Sequence, residues 1–360
     1  MNRLDNVHAP SPGCDAATPS QPIWTPAGMT IDELISSSDE QLASFDIAET
    51  HLRCAQGLPF AEGLDIPRCL QVLDDCAEIV EKETDALAYL FDETPEEFGH
   101  SRAVFCCAIL SSILQEHFNI EFDFDIDFDE VDIDLFFLDS RNNFFHGILN
   151  GEHASCVPIS VLYISVGRRL GYPLKLVRTE EHCFARWEDD NERFNVECSM
   201  EGFATPDDAY YREWPKKLTP QEADRLCHLR SMTPRQELAQ FLYHRAHCLT
   251  RTVQVVDGVK YLLWNHDLAP DDPCFVADID HLFELWEKQL ELQTPHCFPR
   301  VDVIWPTNRR LPESVPLETE RKFLRLSIWH TLLQEPRWQN AGIIASSSTV
   351  DQGPILVRCT

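Results

Sequence analysis

Positive charge is scarce in this sequence relative to negative charge. Among 360 residues, 30 Lys and Arg stand against 60 Asp and Glu, a formal net charge of −30. Binding nucleic acid through its phosphates needs clustered Lys and Arg, and so does attraction to an anionic membrane surface. The composition argues against both. It allows a basic partner, and it also serves plain solubility. Long apolar runs are missing too. The longest nearly apolar stretch, residues 103–114 (AVFCCAILSSIL), has 12 residues, where a membrane span needs about 20. A buried helix is expected there. The first 24 residues hold no apolar segment of the kind that heads an export signal, so a cytoplasmic location is expected. CxxC pairs are absent as well. The 14 cysteines are scattered. In a long chain with no export signal this predicts reduced, mostly buried thiols rather than a disulfide framework or a zinc ribbon.

What is present divides the chain into five stretches. Residues 1–28, with Pro10, Pro12, Pro19, Pro22 and Pro26 among small polar residues, read as a flexible tail. Residues 29–135 read as helical. Thr30 is placed to cap one helix through IDELISSSDEQLASF. A second helix is predicted from Pro67 to about 87, with Leu70, Val72, Leu73, Cys76, Ile79 and Val80 at helical spacing. A third runs from about 95 to 117. This region closes on an acidic linker, EFDFDIDFDEVDID at 121–134, whose alternation predicts extended chain with one docked face. As a calcium loop it fails. Counted from Asp123, the sixth and twelfth positions hold Phe128 and Asp134, where an EF-hand needs Gly and Glu. Residues 217–295 read as helical again. Residues 296–360 read as an extension with one amphipathic helix over 316–334 and a loose end.

Residues 136–216 carry the chemistry, and they predict an α+β unit. Apolar residues recur at helical spacing over 157–170, Pro158 suits a first turn, and Gly171 suits a C-cap. Cys156 therefore stands at a helix N-terminus, where unpaired backbone N–H groups and the helix dipole favour a thiolate. The same N–H groups are suited to hold an oxyanion. Next come LKLV, then HCFARW and RFNVEC joined by a polar turn at EDDN, which predicts three antiparallel strands. His182 falls on the second and Glu197 on the third, 15 residues later, so cross-strand pairing can bring them together. A cysteine nucleophile needs a base, and the base needs an acceptor that fixes its tautomer. By alternation, Cys183 and Cys198 are expected to face away from these groups, into packing. His244, His247 and Cys248 lie close on one helix with metal-ligand spacing, but the histidines are expected to be exposed helix residues rather than metal ligands. No cofactor and no metal is expected.

The order of a Cys-headed helix, a His strand and an acid strand resembles the transglutaminase-like superfamily, whose core is related to papain. The phrases LDSRNNFFHGIL, CVPISVLYISVGRRLGYPLKLV, EEHCFARWE and RFNVECS are closest to its SirB-type bacterial branch, over about residues 45–215. The resemblance implies a Cys–His–acid site on Cys156, His182 and Glu197. The superfamily usually has Asp as the acid, so Glu197 departs from the pattern; Asn195 is the alternative, by analogy with papain-like enzymes. It implies cysteine-dependent acyl transfer or amide hydrolysis on a protein or peptide substrate. The alternative is a non-catalytic interaction scaffold, since many SirB-type relatives lack the cysteine, which this chain keeps. Residues 239–272 also resemble a single tetratricopeptide repeat, with Ala239, Ala246, Leu249, Gly258, Leu262 and Pro270 at its positions and Asn265 off-pattern. One repeat cannot form a solenoid, so a helical hairpin packed on the core or a peptide-docking element is expected.

Overall fold

The computed structural model describes residues 29–118, 120, 133–151, 154–251 and 255–272, with isolated positions between 279 and 326. The tail at 1–28, residues 121–132 of the acidic stretch, and the end of the chain lie outside the described residues, and the helix predicted over 316–334 has only isolated described positions. The last two residues of the acidic stretch open a short helix, Ile133–Leu138.

The described part is α+β: helices surround one three-stranded antiparallel sheet. The helix Ile66–Ala86 begins where Asp65 accepts a hydrogen bond from the Arg68 amide, with Pro67 in the first turn. Its buried residues, Cys69, Leu70, Leu73, Cys76, Ala77 and Val80, form one stripe. The stripe is narrower than the spacing predicted, because Ile79 is exposed. This helix packs on two others, Arg102–Phe118 and Cys156–Arg169. The Cys156–Arg169 helix is buried from Val157 through Gly167, which is why its sequence is nearly continuous apolar residues. It stops at Gly171, whose φ of 77° a residue with a Cβ adopts only under strain. The Tyr172 amide bonds the Gly167 carbonyl at 2.9 Å and the Gly171 amide bonds that of Arg168 at 3.1 Å, a Schellman ending.

The strands are β1 (Leu174–Thr179), β2 (His182–Glu188) and β3 (Arg193–Val196), in the order β1-β2-β3. Leu176 pairs with Ala185, and Ala185 with Val196. The outer edge of β1 is covered by residues 229–232: the Leu229 amide bonds Arg178 O and the Met232 amide bonds Leu176 O, both at 2.8 Å. One sheet face, with Leu176, Cys183, Ala185 and Val196, joins the main core under the Cys156 helix. The other face puts Val177 and Phe184 with Tyr211, Ala223 and Leu229 in a small second core.

Three expectations need correction. The helix capped by Thr30 is two helices, Ile31–Ile35 and Asp39–Ser44, because Ser38 starts a second capping box with Gln41. The third helix is a 3-10 turn, Pro95–Phe98, followed after Gly99 and His100, both at positive φ, by Arg102–Phe118. The histidines of the helix Pro234–Arg251 are not surface groups: His244 and His247 are buried, as is Cys248. This helix pairs with Val255–Leu268 as a hairpin. Its Leu238, Ala239, Phe241 and Leu242 share the main core with the N-terminal helices. Arg245 also donates to the carbonyls of Cys54 and Gln56, each at 2.8 Å. Among the described residues, no helix is long and apolar enough to cross a membrane, and no group of His, Cys, Asp and Glu is arranged to hold a metal ion.

Candidate active site

Cys156 is the first residue of its helix, and Ser155 before it is extended, with φ −71° and ψ 173°. The Ser155 amide donates to Asn142 O at 2.9 Å, and Pro158 has no N–H. The donors this helix end can offer are therefore the amides of Cys156 and Val157. The chain before Cys156 is held by a buried polar web. Asn142 and Asn143 donate to Phe136 O at 3.1 and 3.3 Å. His51 donates through Nε2 to Asn143 O at 3.2 Å and lies between the rings of Phe144 and Phe241. Burial keeps His51 neutral, its pKa pushed well down, with His244 and His146 nearby adding to the effect. At Gly147 a Cβ would press into the Arg141 carbonyl oxygen, so this close turn requires glycine.

His182 is the first residue of β2, directly after a two-residue turn in which Glu181 has a φ of 62°. Glu197 lies just past β3, which ends at Val196; the expectation that Glu197 is a strand residue is corrected. Continuing the register beyond Ala185 and Val196 sets Glu197 across from Phe184 and diagonal to His182. That is within reach of two long side chains. The His182 Nε2 and Glu197 Oε2 are 2.9 Å apart. A carboxylate only accepts, so Nε2 donates and Nδ1 is left to face Cys156. Asn195 is elsewhere: it accepts from Arg186 Nε at 2.7 Å and donates to Pro206 O and Asp208, each at 2.9 Å.

The electrostatics follow from this placement. Cys156 is partly exposed, whereas His182 and Glu197 are buried. The Cys156 thiol is pulled well below its ordinary range by hydrogen bonds from Cys183 and from His182 and by the His182 charge, against burial. The Cys183 hydrogen bond is the larger contact, but a thiol is a weak, uncharged donor, so we assign the decisive part to His182. Burial pushes His182 down, but its hydrogen bonds to Cys156 and Glu197 hold it up at about 10. Burial pushes Glu197 up, and His182, the Ser199 amide and Tyr211 together pull it below the usual carboxylate range. Cys156 and His182 thus favour a thiolate–imidazolium pair.

Sequence reasoning missed four neighbours. Tyr211 donates to Glu197 Oε2 at 2.8 Å, and the Ser199 amide donates to Oε1 at 2.8 Å. Trp214 sets its ring edge-on to His182 at 4.9 Å. Cys183 is buried, as expected from alternation, but the face it packs into is the one that carries Cys156. No local pattern marks Tyr211 or Trp214, since the short helix Asp208–Glu213 and its C-cap, and not the strand period, bring them in. Tyr211 stacks on Phe184 with centroids 3.8 Å apart, and burial and Glu197 keep its hydroxyl protonated. Tyr211→Phe removes one donor from a buried carboxylate, so it is expected to cost about 1–3 kcal/mol in urea unfolding. A loss below a few tenths would mean the hydroxyl contributes nothing. A cleft of about 510 Å³ is lined by Lys175, Arg186, Glu188 and Arg193 among others. It includes none of Cys156, His182 and Glu197, and its cations are already paired, Lys175 with Glu188, Arg186 and Arg193 with Asp208, and Arg230 with Asp224.

No curated protein and no solved structure matches the chain. Residues 71–242, the stretch that holds Cys156, His182, Glu197, Tyr211 and Trp214, match the family model of the Transglutaminase-like superfamily.

Proposed function

We propose that this protein is a cysteine-dependent acyl transferase or amide hydrolase acting on a protein or peptide. The observation that carries the reading is the buried pair of His182 and Glu197, with Nε2 and Oε2 2.9 Å apart and His182 on the strand against which the helix headed by Cys156 packs; His182 pulls the Cys156 thiol down. In this reading the Cys156 thiolate attacks a substrate carbonyl at the mouth of its helix. The amides of Cys156 and Val157 stabilise the oxyanion. The His182 imidazolium gives its Nδ1 proton to the leaving amine, and a thioester forms on Cys156. His182 then takes a proton from water or an incoming amine as it attacks the thioester, which releases the acyl product. Glu197 keeps Nε2 protonated throughout and compensates the imidazolium charge. Glu in the place usually held by Asp has one more methylene, which suits the diagonal reach from past the end of β3. The likeness of the phrases within 138–177 and 180–199 to the SirB-type branch belongs to the same reading, as does the tetratricopeptide-like hairpin as a place where a peptide partner docks.

The test is acylation of the full chain by p-nitrophenyl acetate. A burst of p-nitrophenol matching the protein concentration is expected, with the acetyl group found on Cys156 by peptide mass mapping and absent in Cys156→Ala. An acetyl group spread over several residues, or the same burst from Cys156→Ala, rejects the proposed nucleophile.

A further inference from the structure

The Cys156 helix lies across β2, and one contact fixes where. Ser160, one turn along the helix from Cys156, donates its hydroxyl to the Cys183 carbonyl at 3.1 Å. This bond holds the start of β2 against the first turn of the helix. It places Cys183, whose side chain lies on the sheet face under the helix, one helical turn from Cys156, which packs against the same core, and each thiol perturbs the titration of the other. The pair is unequal. Cys156 is partly exposed, whereas Cys183 is only 3% exposed and sits inside the sheet–helix packing. Six of the other described cysteines do not compete. Burial pushes Cys54 and Cys248 up to about 12 and Cys69 and Cys76 up to about 11, and it holds Cys107 and Cys198 well above their ordinary range.

We infer that Cys183 is a resolving thiol, and that peroxides convert the Cys156–Cys183 pair reversibly into a disulfide that blocks the nucleophile. The inference rests on the proposed reading of Cys156 as a thiolate. A Cys156 thiolate donates an electron pair to one oxygen of a hydroperoxide. The O–O bond breaks, Cys156 becomes a sulfenic acid, and the departing hydroxide or alkoxide takes a proton. The Cys183 sulfur then attacks the Cys156 sulfur. The S–S bond forms, the S–O bond breaks, and hydroxide leaves with the Cys183 proton as water. Two thiols are oxidised by two electrons in total, and one peroxide is reduced. Before oxidation Cys183 is a poor nucleophile, because the neighbouring Cys156 charge and burial hold its proton. Oxidation of Cys156 removes that charge, so the second step follows the first. Two side chains on the facing sides of one helix–strand seam, one helical turn from the Ser160 contact, are placed for the approach that disulfide geometry requires. Without a neighbour, the sulfenic acid would go on to the irreversible sulfinic acid.

The experiment exposes the full chain to a small excess of hydrogen peroxide, removes it with catalase, alkylates in denaturant and maps peptides without reduction. The expected product is a pair of peptides joined through Cys156 and Cys183, two hydrogens lighter than the separate thiol peptides. Dithiothreitol is expected to restore iodoacetamide labelling of Cys156 in full. In Cys183→Ser, Cys156 is expected to reach sulfinic acid and to stay unlabelled after dithiothreitol. Mapping of the unmodified sequence decides the matter even if the variant folds poorly. Cys156 sulfinic acid with Cys183 left as a free thiol overturns the resolving role and leaves the thiolate reading standing. A Cys156 that peroxide does not touch overturns both.

Discussion

In the His182→Ala protein, labelling of Cys156 by iodoacetamide is expected to climb close to 100-fold between pH 6 and pH 8, while in the native protein it stays nearly level. An ordinary thiol titrates near pH 8.5, so its thiolate fraction rises about tenfold per pH unit below that point. Burial would push an unassisted Cys156 higher still, which keeps the variant on the rising limb through this whole range. The native thiol is different because an imidazolium stands beside it. His182 is held up at about 10, so its charge is present throughout pH 6 to 8. The thiolate that this charge stabilises is already formed at the lower end. The hydrogen bond from Cys183 survives the substitution, but an S–H group supplies no charge and cannot replace the imidazolium. The measurement is the labelling rate of Cys156 by mass spectrometry at four or five pH values. Parallel profiles in the two proteins would show that His182 does not govern this thiol, and the proposed chemistry would go with it.

Arg186→Met is expected to destabilise the fold by about 3 kcal/mol, near the low end for breaking a buried ion pair by removing one partner. The Arg186 side chain is fully buried on β2. It donates to Asn195 at 2.7 Å, to Leu229 O at 2.9 Å and to Asp208 at 2.6 Å. One side chain thereby joins β3, the segment covering β1, and the start of the helix Asp208–Glu213 that carries Tyr211. Methionine can fill most of the volume but leaves the Leu229 carbonyl and the Asn195 oxygen without this donor. The low end is expected because Asp208 is partly exposed and keeps a second partner, Arg193, at 3.1 Å. Urea unfolding of both proteins measures the difference. A change under about 1 kcal/mol would mean that water replaces the guanidinium at little cost.

Much of the local structure was legible in the residues. The helix from Cys156 followed from the apolar spacing with Pro158 and Gly171 at its ends, and the three strands followed from alternation and a polar turn. Short-range rules sufficed there because caps and periodicity act within one element. Where a local signal was overlooked, the reading failed. Ser38 and Gln41 form a second capping box that divides the first helix, and Gly99 stops the 3-10 turn.

What the sequence by itself determined is the type and order of the elements and the three residues that resemble a cysteine site. Tertiary structure alone decided between Glu197 and Asn195 as the group that His182 bonds. Asn195 and Glu197 are two residues apart and, by alternation, share a face. Arg186 and Asp208 engage Asn195, whereas Glu197 lies past the strand end with Tyr211 and the Ser199 amide aimed at its oxygens. Tertiary structure also decided that Cys183 meets Cys156, that His244 is buried, and that Tyr211 and Trp214 complete the surroundings of His182. The physical reason is common to all of these. They are contacts between elements far apart in the chain, set by packing the Cys156 helix on one sheet face and the helix Asp208–Glu213 on the other, and no periodicity within a single segment encodes them.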